Sequence, residues 1–327
     1  MKENPKTQIS STKEIPKSKH TRLVCHSEEP AGDEESCHLR RTHDPSPSTR
    51  LAKPRLAQGQ DDSPSIFFLN LVFKNLMKYK YLLLQLVKTD FKMRYNNSVL
   101  GIVWVLLKPL LLFAVLYFVF SFAFGMSDPY YKLNLFLGLI LFTYFSESTT
   151  KGLNSLMDKA HIILKVNFPR HLAVLASVIN STINLFFNLV VFSVFYMFYP
   201  KLFTFFGLLK FSGVLFSMFL LVLGLSFFLS VLYVRFRDLS AIWEVLMTVL
   251  FYATPIFYPL TLIPQSFQKI YFLNPVADFV VLARNALVSA NPLGPTQTLY
   301  VIFLSAICLV LGYVFFKSQV KKIAEYF

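Results

Sequence analysis

The stretch Lys92-Met93-Arg94-Tyr95-Asn96-Asn97-Ser98-Val99-Leu100-Gly101-Ile102-Val103-Trp104, with Lys108-Pro109 just beyond, turns from basic and polar to apolar. From position 100 to 124, Lys108 is the only charged residue. A bilayer core asks a helix for about 20 mostly apolar residues, and this run supplies them. Upstream, Lys74, Lys78, Tyr81, Gln85, Lys88 and Lys92 recur at intervals of three and four, so 70–96 reads as a helix with one basic face. Phe73, Leu76, Met77, Leu83, Leu84, Val87 and Phe91 cover the opposite side, and Lys80 has to snorkel. A basic amphipathic helix running into a span predicts an interfacial helix. The other reading is a surface helix packed on a partner.

Composition extends this reading to the whole chain. Of 327 residues, 54% are hydrophobic and only 15% charged, whereas soluble domains carry about 25% charged residues. A soluble globule is excluded, and 11 Gly and three Cys exclude collagen-like and disulfide-scaffold classes. Further apolar runs at about 133–153, 172–199, 211–233, 240–260 and 297–316 bring the expected spans to six. Between the last two, Pro264, Pro275, Pro292 and Pro295 punctuate the chain, and the apolar middle from Val276 to Val288 is too short to cross. A re-entrant or interfacial hairpin is expected there. The expected fold is therefore an all-α integral membrane protein. Residues 1–65 form a disordered tail, 66–98 an amphipathic interface helix region, and 99–327 a six-helix transmembrane domain.

The tail reading rests on residues 1–65 lacking any Phe, Tyr or Trp, so they hold too little apolar area to offset ordering entropy. Cys25, His26, Cys37 and His38 lack the paired short spacing of a zinc site. The tail also locates the net charge of +14: its 11 Lys and Arg meet ten acids, so nearly all the excess lies on the apolar part. That placement argues against nucleic acid and for a membrane. With the N-terminus inside, one side collects Lys151, Lys159, Lys165, Arg170, Arg235, Arg237, Lys317, Lys321 and Lys322. The other side holds only Lys132, Lys201, Lys269 and Arg284, with Lys210 near a boundary. The positive-inside rule then predicts two cytoplasmic termini.

Several chemistries are missing from the sequence. There is no G-x-x-x-x-G-K-[ST] phosphate loop and no H-E-x-x-H. Only eight acids follow residue 65, with no cluster of them inside a span as proton-coupled transport often needs. Transport, if present, has to be powered by a partner, or the protein is passive. A membrane-embedded glycosyl- or acyltransferase should show an acid or His cluster at the membrane surface, and none is found.

Four short motifs follow one another along the chain. They are Lys92-x-Arg94-Tyr95-x-x-Ser98-x-Leu100-Gly101-x-x-Trp104, Lys165-x-x-Phe168-Pro169-Arg170, Arg235-Phe236-Arg237-Asp238, and Thr254-Pro255-Ile256-Phe257-Tyr258-Pro259 with Asn274-Pro275 beyond it. Over about residues 66–327 the chain resembles the ABC-2-type permeases that export O-antigen, teichoic acid or capsular polysaccharide. The resemblance implies a homodimer serving two copies of a separate ATPase subunit. That subunit carries ATP and Mg, and this chain carries no cofactor. It implies an undecaprenyl-linked glycan as cargo, contact with membrane lipid, no nucleic acid, and a bacterial cytoplasmic membrane. An ABC-2 exporter of drugs or lipids is the runner-up.

Candidate residues each carry two readings. Lys92 and Arg94 suit the pyrophosphate of a lipid-linked glycan, or they attract anionic lipid generally. Lys108 beside Pro109 marks a kinked, pore-lining helix or a snorkelling cation. Trp104, Tyr117, Phe120 and Phe124 on the first span, and Trp243, Phe251, Tyr252, Phe257 and Tyr258 on the fifth, are candidates for the channel wall, which the family builds from these two spans. The alternative is a lipid-facing aromatic belt. Ser177, Asn180, Asn184 and Asn188 form a polar stripe, read as interhelical hydrogen bonding rather than a substrate wall. Asp158, Lys159 and His161 fall in a segment that the family uses for ATPase coupling, and Arg235, Arg237 and Asp238 join them as coupling candidates. A solvated loop is the plain alternative.

Overall fold

The computed structural model describes residues 79–95, 101, 103–124, 129–165, 169–258, 274–288 and 295–320. The expected tail (1–65), the start of the interface helix and much of the segment after Tyr258 lie outside the described residues.

The described chain is helical throughout. The elements are α1 (Lys80–Tyr95), α2 (Val103–Phe124), α3 (Tyr131–Asp158), α4 (Ala160–Lys165), α5 (His171–Tyr196), α6 (Phe205–Arg235), α7 (Leu239–Ala253), α8 (Pro275–Leu287) and α9 (Pro295–Gln319). Gly101 separates α1 from α2 with φ +44°, a left-handed conformation that costs a side chain but not glycine. The Leu-Gly pair of the first motif thus has a backbone reason. Pro109 sits inside α2, where it withholds one N–H from the helix ladder.

The central element is α3. Leu135, Leu137, Leu139 and Leu141 are fully buried, so its first half is covered on every side. It packs on α5 and α6, and α6 packs on α9. The α6–α9 crossing is a contact of backbones: a Cβ added at Gly312 would stand 2.1 Å from the Gly224 carbonyl oxygen, and one at Gly224 2.5 Å from that of Cys308. Small residues at such crossings replace the hydrophobic drive that lipid cannot provide.

The sequence predicts six spans; among the described residues four helices are long and apolar enough to cross, Val103–Phe122, His171–Tyr196, Phe205–Arg235 and Gln297–Gln319. The other two expected spans fail for different reasons. The run at 133–153 becomes the 28-residue α3, whose second half carries Ser146-Glu147-Ser148-Thr149-Thr150-Lys151. The run at 240–260 becomes α7, which has 15 residues and stops before Thr254-Pro255. At 1.5 Å per residue it reaches roughly 22 Å, short of a core about 30 Å thick.

α1 buries part of the expected apolar side, and Leu84 of that side is exposed. Leu83 and Leu86 are buried against Leu172 and Ala176 of α5, while Tyr81, Leu84 and Met93 are exposed. The 13-residue α8 is buried through Val276, Ala277, Phe279, Val280 and Ala283 and leans on α6 and α3. Its N-cap Asn274 accepts from the Val276 amide at 3.0 Å and donates to Thr254 Oγ1 at 3.0 Å. Arg284 donates to the carbonyls of Ile256 at 2.8 Å and Asn134 at 3.1 Å, and Tyr131 donates to that of Phe257 at 3.0 Å. The Thr-Pro and Asn-Pro motifs, twenty residues apart, are therefore parts of one polar joint.

Candidate functional site: a charged, aromatic groove

Polar residues on α3 and α5 need partners, and those partners build the site. Glu147 of α3 takes Lys151, one turn on, at 2.6 Å. Asn184 of α5 donates to the same carboxylate oxygen at 2.8 Å, and Arg94 at the end of α1 closes on it too. Three donors thus converge on one oxygen. A second ion pair lies beside the first: Lys159 meets Asp90 of α1 at 2.8 Å and donates to Ser177 of α5 at 2.9 Å. Both pairs fasten α1 to the α3–α5 pair.

The Arg94–Glu147–Lys151–Asn184 cluster forms the wall of a cavity of about 770 Å³. Trp104, Lys108 and Pro109 enter it from α2, Phe142 and Thr143 from α3, and Glu244, Thr248, Phe251 and Tyr252 from α7. Phe142 and Phe251 meet edge to face at 5.2 Å across it. Three cations (Arg94, Lys108 and Lys151), two carboxylates (Glu147 and Glu244), hydroxyls, amides and flat rings line one space, with one positive charge in excess. Such a lining suits a ligand that carries both negative charge and apolar or ring surfaces.

The model of the ABC-2 type transporter family matches residues 81–288. This chain belongs to the ABC-2 type transporter family. Its relatives include two O-antigen export system permease proteins RfbA from Klebsiella pneumoniae. One is 30% identical over 75% of this chain and 94% of the relative; the other is 32% identical over 62% and 78%. A third RfbA, from Myxococcus xanthus, is 29% identical over 77% of this chain and 97% of the relative. The resemblance drawn from the four motifs is thereby met. As a family member the chain is a multi-pass permease subunit of an ABC transporter, a system that joins permease to ATPase, and is not itself an enzyme.

In this ABC-2 permease the residues singled out in the sequence take several places. Arg94, Trp104, Phe251 and Tyr252 line the groove, together with Lys108. Lys92 is exposed on α1. A second aromatic group adjoins the groove: Phe257 lies 6.0 Å from Phe251 and 6.2 Å from Tyr252, Phe120 stacks on Phe257 at 4.5 Å, Tyr258 meets it at 5.0 Å, and Tyr117 lies 6.3 Å from Tyr131. Trp243 ties α7 to α3 by donating to Thr149 Oγ1 at 3.2 Å. The side chain of Phe124 lies outside the described residues.

The coupling candidates also divide. Asp158 at the end of α3 and His161 in the first turn of α4 are exposed, and Arg235, Arg237 and Asp238 are exposed at the turn between α6 and α7. Lys159 itself is 4% exposed and turned inward to Asp90. It holds α1 in place and presents no charge at the surface.

Glu147 and Asp90 were missed as site residues. Their signals were an i,i+4 acid–base pair on α3 and an acid on the basic helix, and both read naturally as span-end charges. The polar stripe on α5 has specific tasks: Ser177 holds Lys159, Asn180 donates to the Val87 carbonyl at 3.3 Å, Asn184 holds Glu147, and Asn188 donates to the Asn184 carbonyl at 2.8 Å.

Proposed function

We propose that this permease exports a polysaccharide joined by pyrophosphate to an undecaprenyl-type lipid across the bacterial cytoplasmic membrane. It acts as a homodimer with two copies of a separate ATPase subunit that binds ATP and Mg. Both termini face the cytoplasm. The names of the relatives support the cargo class, and the Lys and Arg distribution supports the orientation. The observation that carries the reading is the groove, where charged donors and aromatic faces stand together.

Its chemistry follows from its residues. Arg94 and Lys151 already hold a carboxylate, and the same donors fit a phosphate oxygen. Lys92 lies two residues before Arg94 and adds charge along the approach. Trp104, Phe142, Phe251 and Tyr252 offer flat faces on which sugar rings stack and slide. The uncovered faces of α2 and α7, with Trp104, Phe118, Ile242 and Tyr252 exposed, support a twofold mate that completes the passage. Exposed charges at Asp158, His161, Arg235, Arg237 and Asp238 would meet the ATPase.

The test uses the permease–ATPase complex in liposomes with Arg94→Gln. Hydrolysis stimulated by a lipid-linked glycan is expected to fall about tenfold, as for a lost charge-assisted contact, with basal hydrolysis retained. Equal loss of both activities would overturn the headgroup role. Stimulation by drugs or simple lipids, and none by the glycan, would favour another ABC-2 cargo.

A further inference from the structure

We propose that the cleft where the start of α5 meets the end of α9 binds the phosphate headgroup of an anionic membrane lipid. The cleft has a volume of about 410 Å³ and shares no lining residue with the groove. Its polar lining is Arg170, His171 and Lys317, with no carboxylate among the described residues. The Arg170 guanidinium donates to the Val320 carbonyl just past α9, which fixes it at the cleft wall. That bond spends one of five N–H donors and answers the negative end of the α9 dipole.

The apolar surroundings fit a lipid better than a free anion. Tyr313 and Phe316 are buried as the floor, with their rings 5.6 and 5.1 Å from that of Phe227. Lys317 is exposed and follows Val310 and Val314 by seven and three residues, so the three share one face of α9. Val310 is 45% and Val314 57% exposed, an apolar track that ends at a cation. Acyl chains lie along this track while the phosphate reaches Lys317 and Arg170. A soluble phosphate gains the cations but not the track. Basic pockets between membrane helices take up lipid headgroups on this principle.

The occupant joins the starting turn of α5 to the last turn of α9. α5 also carries Ser177 and Asn184, the partners of both ion pairs, so a lipid here braces the helix on which the groove depends.

The experiment uses the full chain purified in a neutral detergent, titrated with phosphatidylglycerol, phosphatidylcholine or glycerol phosphate. Bound lipid is counted by native mass spectrometry and stability is followed by thermal melting. One phosphatidylglycerol per chain is expected to bind and raise the melting temperature, with neither other probe matching it. Lys317→Gln should weaken that binding roughly fivefold, the effect of about one surface charge, leave the lipid-free melting temperature unchanged, and be rescued by Lys317→Arg. Because Arg170 also holds Val320, Arg170→Gln serves only as a second arm, read against its own lipid-free melting temperature. Unchanged phosphatidylglycerol affinity in Lys317→Gln would overturn the proposal. Equal stabilisation by glycerol phosphate would make the cleft a soluble-phosphate site and overturn the lipid assignment.

Discussion

The α6–α9 crossing and the α2–α7 groove are built from similarly apolar helices to opposite effect. Of the α6 span 61% is buried inside the protein, against 6% of the α2 span. On α7, Met247 is the one buried residue. Small residues separate the two regions. Gly224 and Gly312 bring α6 and α9 into backbone contact, and Gly152 lets α3 approach Ser226. From Val103 to Phe124, α2 contains no glycine and presents Trp104, Leu111, Val115, Phe118 and Phe122 outward. Apolarity decides that a helix enters the membrane; residue size decides whether it joins the scaffold or stands at a working surface.

Breaking the scaffold should have the largest effect. Gly312→Leu drives a side chain into the Gly224 backbone and should cost more than about 3 kcal/mol, since neither strand of the crossing can yield. Melting of the purified chain reads this loss. Next is the joint between the regions. Lys159→Met leaves Asp90 without its cation and should cost about 3 kcal/mol. The double variant with Asp90→Asn should recover part of that loss, and a double variant no better than the single one would deny the pairing.

A pH series probes the short α8, which lies outside the four candidate spans. Asp278 is 1% exposed, and neither carboxylate oxygen has a hydrogen-bond partner among the described residues. Burial pushes its carboxyl up to about 6. In this window the folded chain holds a proton that the unfolded chain has lost. Stability is therefore highest below pH 4 for this group and falls as pH rises to about 6, by at most about 3 kcal/mol. Asp278→Asn should flatten that part of the melting curve. The smallest stability effect belongs to the groove: Trp104→Ala should move folding by about 0.5 kcal/mol or less, while lowering glycan export severalfold in liposomes.

The sequence made the membrane class and the family legible because both are written in local patterns. Apolar run length exposed the spans of α2, α5, α6 and α9, and the motif order exposed the permease family. The count of six failed where composition had to be weighed against helix geometry. The polar second half of α3 and the 15 residues of α7 look like spans only when apolar residues are counted without asking where the helix stops. At the groove, Arg94, Trp104, Phe251 and Tyr252 were legible as cations and rings near a membrane edge. The Glu147–Lys151 pair is local to α3, but Asn184 and Arg94 join it only through the packing of α5 and α1, between positions up to 53 apart. Lys159 shows the same limit in reverse: as a cation in a loop-like stretch it reads as exposed, and only tertiary structure turns it toward Asp90.

Photo-crosslinking reads out whether cargo travels along the α2–α7 groove while α6 and α9 serve as scaffold. A benzophenone side chain placed at position 104, 248 or 310 would be illuminated in the working permease–ATPase complex with a lipid-linked glycan. Glycan adducts are expected at 104 and 248 and none at 310; adducts at 310 alone would place the cargo path outside the groove.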